Sequence, residues 1–231
     1  MHRQFVTPVG SFDSVSLRPV FDPALYLVTD QRLCGEKSVL DVVGLAVRGG
    51  ATMVQLREKR LDMRSLVDLA RALKGLLAPF GVPLVINDRV DVALAVEACG
   101  VHLGQHDMPA ELARHLLGQG ALIGLSVERP EHIREAERVD VDYYGVSPIF
   151  PTTTKGELKS FWGLDGLAVA RQATSRPLVA IGGITIENVA EVVRAGADGV
   201  AVVSAICAAA DPLRAAETLV QAVRQGQGGR Q

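Results

Sequence analysis

Long runs of lysine and arginine are missing from this 231-residue chain, and its formal net charge is only −2. A nucleic acid or an anionic membrane surface finds no electrostatic footprint here, so phosphate-sized anions are better candidates. Cysteine is sparse and unpatterned. Cys34, Cys99 and Cys207 are odd in number and at unrelated spacings, which speaks against a disulfide framework or a zinc cluster and for a reducing, cytoplasmic setting. No apolar stretch is long enough to cross a bilayer. Thr7, Pro8, Gly10, Ser11 and Asp13 interrupt any apolar segment that a signal peptide would need. Aromatic residues make up only 4% of the chain while 48% of it is hydrophobic, enough to bury the core of one sizeable domain.

What the sequence does have is a rhythm. After a leader over residues 1–22, short runs rich in Val, Ile and Leu alternate with longer amphipathic segments, as in a parallel sheet with crossover helices. Eight such runs begin near Leu25, Met53, Leu84, Val101, Leu122, Tyr143, Leu178 and Val200. Gly49-Gly50, Gly100 and Gly196 end the helices before the second, fourth and eighth of them. Eight βα units in a chain of this length predict a single-domain (β/α)₈ TIM barrel over residues 23–223, whereas an open doubly wound sheet more often uses five or six strands. Residues 224–231, rich in Gly and Gln and without apolar periodicity, are expected to form a flexible tail. The leader is a candidate cover for the bottom of the barrel.

Active sites of such barrels are built on the loops that follow the strands, and here those positions are rich in polar residues. Along Gln55-Leu56-Arg57-Glu58-Lys59, strand alternation points Gln55, Arg57 and Lys59 the same way, into the barrel mouth. An amide and two cations there suit a diphosphate, with arginine as a bidentate fork and lysine as a mobile point charge. The plainer reading is a solvated strand end, with Arg57 and Lys59 paired to Glu58 or Asp62. Asp88 and Asp107 end neighbouring strands and can converge on one point. Two hard carboxylates suit Mg²⁺, which completes its shell with water and phosphate oxygens. Taken singly, each is better explained as a cap, Asp88 for a helix starting at Arg89 and Asp107 before Pro109. Taken together beside a cationic strand, the metal reading is preferred.

Gly182-Gly183 and Val203-Ser204 follow the seventh and eighth runs and precede helical segments, so their backbone N–H groups can cradle a phosphate. A tight turn accounts for one glycine better than for the pair. Thr152-Thr153-Thr154-Lys155-Gly156 lies in a long connection before the helix near Leu164. It is either a lid that grips a second phosphate or a plain exposed loop. Histidine is secondary: His102 reads as a packed or hydrogen-bonded barrel residue, His106 as a neighbour of the metal site, and His2, His115 and His132 as surface. Neither a His-Glu-x-x-His motif nor a Ser-His-Asp order occurs.

Several motifs, in order, resemble the thiamine-phosphate synthase family: Gln-Leu-Arg-Glu-Lys at 55–59, Ile-Asn-Asp-Arg-Val-Asp at 86–91, Val-His-Leu-Gly-Gln at 101–105, Pro-Ile-Phe-Pro-Thr at 148–152 and Ala-Ile-Gly-Gly-Ile at 180–184. The likeness extends from Leu25 to Ile206. It implies a transferase that joins hydroxymethylpyrimidine diphosphate to thiazole phosphate, or to its carboxylated form, giving thiamine monophosphate and pyrophosphate with Mg²⁺ as cofactor. By the same resemblance, Gln55, Leu56, Arg57, Glu58, Lys59, Asn87, Ser126 and Lys155 hold the pyrimidine diphosphate, and Arg57, Lys59, Ser126 and Lys155 act in catalysis. Thr152, Thr153, Thr154, Gly183, Val203 and Ser204 hold the thiazole phosphate, and Asp88 and Asp107 bind Mg²⁺.

In that family pyrophosphate is thought to leave first, so no strong base is required, in keeping with a sequence that offers cations and donors but no obvious nucleophile. Three positions depart from the family pattern: Val127 after Ser126, His106 before Asp107, and Ser147 where glycine is common. The rivals are a thiazole tautomerase or regulatory paralogue without the diphosphate apparatus, a sugar-phosphate isomerase with an acid/base pair across the mouth, and a non-catalytic sensor of a phosphorylated ligand. The implied partners are small molecules, with no nucleic acid and no membrane. A homo-oligomer packed through the barrel helices is compatible with the sequence, although no apolar stripe singles out an interface.

Overall fold

A computed structural model of the chain describes residues 18–152 and 161–229. Eight parallel strands, β1 (Leu25–Val28), β2 (Met53–Leu56), β3 (Leu84–Asn87), β4 (Gly100–Leu103), β5 (Leu122–Val127), β6 (Tyr143–Val146), β7 (Leu178–Ile181) and β8 (Gly199–Val202), form a closed barrel in which β8 pairs back onto β1. The helices α1 (Val39–Arg48), α2 (Met63–Leu77), α3 (Val90–Val96), α4 (Ala110–Leu117), α5 (Pro130–Ala136), α6 (Gly163–Ala173) and α7 (Val189–Arg194) lie between successive strands. A four-residue α8 (Ser204–Cys207) and the long α9 (Pro212–Gly228) follow β8. The (β/α)₈ barrel expected from the rhythm of apolar runs is the fold observed.

Local chemistry sets the helix starts. Ser38 and Asp41 form a reciprocal capping box at α1, and the carboxylates of Asp62 and Asp211 accept backbone N–H groups at α2 and α9. Each satisfies donors that the first turn of a helix leaves unpaired.

The period-two alternation of the strands divides the core in two. Residues such as Leu27, Val54, Leu56, Ile86 and Val101 face outward and pack against the helices. The opposite set, Tyr26, Val28, Met53, Val85, Leu122, Tyr143, Val179 and Ala201, fills the barrel interior. That plug closes the bottom and leaves the C-terminal ends of the strands open.

The end of the leader lies across this bottom. Phe21 packs on Tyr143 with ring centroids 5.6 Å apart, and Arg18 reaches Asp140 at 2.5 Å and Asp142 at 2.8 Å, just before β6. The expected flexible tail needs correction at its start: residues 224–228 continue α9, with Gly226 buried against α7. A glycine there lets the helix backbone approach, because a Cβ would sit 2.7 Å from the Ala190 carbonyl. Glycine content alone is therefore a poor guide to the tail. Among the described residues, no helix is long and apolar enough to cross a membrane.

Candidate active site

A cavity of about 850 Å³ opens at the C-terminal ends of the strands, lined by side chains that follow or end every strand of the barrel. Gln55, Arg57, Glu58 and Lys59 enter it from β2, Asn87 and Asp88 from β3, and His106 and Asp107 from β4. Ser126 comes from β5, Thr152 from beyond β6, Gly183 from beyond β7, and Val203 and Ser204 from beyond β8. The volume lies within the range of small-molecule sites. Thr153, Thr154 and Lys155 lie outside the described residues.

Arg57 is held by its neighbours. Its side chain is largely buried, and Nη1 lies 3.8 Å from Asp30 Oδ2, while its backbone N–H donates to Thr29 Oγ1 at 3.0 Å. Asp30 in turn receives Arg32 Nε at 2.9 Å and Nη2 at 2.5 Å. The bond from Arg32 and the charge of Arg57 hold the Asp30 carboxyl below the ordinary carboxylate range. Lys59 stays exposed, 3.9 Å from Asp88 Oδ2. The cations thus pair with Asp30 and Asp88 rather than with Glu58 or Asp62, and Asp62 is the N-cap of α2.

Two of the residues assigned by resemblance also have structural partners. Leu56 is buried in the outer core and does not line the cavity. Glu58 lines it, but Oε1 accepts from Thr29 Oγ1 and from the Gln31 backbone, both at 3.1 Å. Burial pushes its carboxyl up, against those two bonds. It fastens the β1 loop to the β2 loop.

Asp88 and Asp107 do converge. Asp88 has a left-handed backbone, φ 62°, and its amide donates to the His102 carbonyl at 2.9 Å. Asp107 Oδ2 accepts the Gly104 amide at 2.6 Å. Burial, with the hydrogen-bonded Asp107 carboxylate beside it, pushes Asp88 up to about 6 against the pull of Lys59. Neither residue caps a helix: α3 begins at Val90 after Arg89, and α4 at Ala110 after Pro109. Among the described residues, no group of three or more His, Cys, Asp or Glu side chains could hold a metal. The pair is the acidic centre of the cavity.

The paired glycines have a packing reason. Gly182 (φ 99°) and Gly183 (φ 68°) both adopt left-handed backbone, and their Cβ atoms would strike Pro148 and Phe150 at 2.7 Å and 2.8 Å. The β7 loop is thereby pressed against the segment after β6. Ser126 is buried, its Oγ 2.9 Å from His102 Nε2, and its carbonyl accepts Gln105 Nε2 at 2.5 Å. His132, expected at the surface, is buried, and its Nδ1 accepts the Glu128 amide at 3.2 Å.

Sequence reasoning missed Asp30, Tyr26 and Tyr143, all of which line the cavity. The rule that polar residues after strands build the site reaches Thr29-Asp30 when applied to β1. Nothing local marks the two tyrosines, whose hydroxyls matter through partners on other strands.

The family model described as thiamine monophosphate synthase matches residues 25–206. The thiamine-phosphate synthase of Albidiferax ferrireducens is 58% identical over 199 residues, 86% of this chain and 91% of the relative. That of Vibrio campbellii is 51% identical over 200 residues, 87% of this chain and 98% of the relative. Among solved structures, a thiamine phosphate pyrophosphorylase from Pyrococcus furiosus superposes with a TM-score of 0.82 at 38% identity, covering 89% of this chain and 97% of that one. A 3-hexulose-6-phosphate synthase from Salmonella typhimurium, at 18% identity and a TM-score of 0.69 over 88% of this chain and 99% of that one, shares the fold alone. With a matching family model across the barrel and relatives above half identity over most of its length, the chain belongs to the thiamine-phosphate synthase family of transferases.

Proposed function

We propose that this chain joins hydroxymethylpyrimidine diphosphate to thiazole phosphate, forming thiamine monophosphate and releasing pyrophosphate in a Mg²⁺-dependent reaction. The observation that carries the proposal is the Asp88–Asp107 carboxylate pair set beside Lys59 and Arg57 in one cavity. Two adjacent carboxylates, the Asp107 charge raising the cost of ionising Asp88, bring hard oxygen donors to one side of the cavity and fit a divalent cation that keeps water and phosphate oxygens as its other ligands. Bound by Asp88 and Asp107, Mg²⁺ would supply Lewis-acid charge to the diphosphate.

Arg57, fixed by Asp30, and the freer Lys59 then neutralise the charge that grows on the leaving group. Gln55, Asn87 and Ser126 orient the pyrimidine ring, and the cavity walls hold the second substrate within reach of its exocyclic carbon. Lys155 is assigned to the diphosphate, and Thr152, Thr153, Thr154, Gly183, Val203 and Ser204 to the thiazole phosphate. Departure of pyrophosphate precedes attack by the thiazole nitrogen, so no general base is needed. A tautomerase or sensor would have no use for the acidic pair and its flanking cations. A cytoplasmic enzyme acting on small molecules fits this chemistry.

Incubating the protein with both substrates, with Mg²⁺ and again with excess EDTA, tests the proposal. Thiamine monophosphate that appears only with the metal supports it, and folded protein that forms none overturns it.

A further inference from the structure

Five side chains cross the barrel interior in one hydrogen-bonded line. Gln55 Nε2 donates to Tyr26 Oη at 3.0 Å. The Tyr26 and Tyr143 hydroxyls are 3.0 Å apart, Tyr143 Oη is 3.2 Å from His102 Nδ1, and His102 Nε2 is 2.9 Å from Ser126 Oγ. The line runs from β2 through β1, β6 and β4 to β5, so no pair in it is close in sequence. The strands make room for it. A Cβ at Gly124 would sit 2.5 Å from His102 Nδ1, and one at Gly145 would sit 2.8 Å from His102 Cε1. The His102 and Tyr143 rings stack with centroids 5.6 Å apart.

Such a line has a direction. A phenol has one proton to give, so each hydroxyl that receives at one end must give at the other. Because the Gln55 amide donates to Tyr26, Tyr26 gives its proton to Tyr143. The opposite sense would leave the buried Tyr26 proton without an acceptor beside Val28, Met53, Val179 and Ala201 and incur the desolvation penalty of an unsatisfied donor. Tyr143 then gives its proton to His102 Nδ1. That leaves the imidazole proton on Nε2, where it is donated to Ser126 Oγ. The Ser126 hydroxyl, its oxygen already engaged, has its own proton to offer to the cavity.

We infer that Tyr26, Tyr143 and His102 are positioning residues: a directional relay, oriented by the Gln55 amide, presents the Ser126 hydroxyl to the substrate as a hydrogen-bond donor. The substrate atom at Ser126 is accordingly an acceptor, such as a heteroaromatic ring nitrogen, and not an amino group. The inference rests on the proposed role of Ser126 as a pyrimidine contact.

Long-range ¹H–¹⁵N spectra of histidine-labelled protein at pH 8, with the His102 signals identified by their loss in His102→Asn, read the tautomer directly. The native protein is expected to carry the proton on Nε2. Gln55→Glu puts an acceptor-only carboxylate at the head of the line, and every bond should reverse, moving the proton to Nδ1. Tyr143→Phe should mix the two tautomers and lower kcat/KM for the pyrimidine diphosphate about tenfold, one charge-neutral hydrogen bond's worth. A native Nδ1 proton, or the same tautomer in Gln55→Glu, overturns the relay. Ser126→Ala separates this from the reading beneath it: an unaltered kcat/KM overturns the role of Ser126 at the substrate whatever the tautomer, whereas a fall in kcat/KM with no reversal in Gln55→Glu overturns the relay alone.

Discussion

Asp88 combines a left-handed backbone with a carboxyl pushed up to about 6 by burial and by the neighbouring Asp107. Both features are costly for a non-glycine residue, and they are the kind of cost that clusters at functional sites. Asparagine tolerates the same backbone region, whereas alanine does not. On the proposed role of Asp88 as a Mg²⁺ ligand, Asp88→Asn is expected to leave the melting temperature close to native while lowering turnover with Mg²⁺ by on the order of 100-fold or more, since one hard anionic donor is gone. Calorimetry beside the condensation assay checks both halves, and native turnover in a folded Asp88→Asn protein would remove the residue from the metal site. Asp88, Asp107, Arg57 and Lys59 are legible in the sequence because they follow apolar runs, and a barrel gathers such positions at one mouth. The capping alternatives for the two aspartates are equally legible, and they fail because α3 and α4 start one or more residues further on.

The β1 and β2 loops act as one unit, tied by Thr29, Asp30 and Glu58 around Arg57. Because Arg32 and Arg57 hold the folded Asp30 carboxyl below its ordinary value, its contribution to stability is complete above the unfolded value of about 3.9 and is lost as pH falls through the folded one. Asp30→Asn lacks that contribution at every pH. The gap in melting temperature between native protein and Asp30→Asn should be full at pH 7 and narrow below about pH 4, and a gap constant with pH would show that Asp30 is not the titrating group. None of these loop contacts could be read locally, since Thr29 and Arg57 are neighbours only because β1 pairs with β2 in register, Val28 opposite Gln55. The tail departs from its sequence expectation for a related reason. Glycine reads as flexibility in isolation, yet Gly226 is the point where α9 can approach α7.

At the scale of the whole molecule, the two ends of the barrel do different work, with the cavity at the C-terminal ends of the strands and a clasp of Arg18 and Phe21 over the other. Of the described residues 18–22, the partly buried Phe21 ring contributes about 1–2 kcal/mol and the half-exposed Arg18 pairs little, so removing residues 1–22 should cost at least that much. That corresponds to a fall of roughly 2–8 °C in Tm. With the site at the far end, kcat/KM for both substrates should stay native. Thermal melting and steady-state kinetics of the shortened chain read the two together, and lost activity in a stable truncated protein would place the leader in the site.

Element order, the barrel and most of its mouth are legible in the chain alone, because period-two apolar runs, helix caps and polar residues after strands are local signals that a parallel (β/α)₈ arrangement converts into one place. Which other groups pair follows from the folded barrel: Arg57 with Asp30, and the line from Gln55 through Tyr26, Tyr143 and His102 to Ser126. Those contacts join residues brought together by strand register and barrel closure, and hydrogen bonds and charges act over a few ångströms of space, not over positions in a chain.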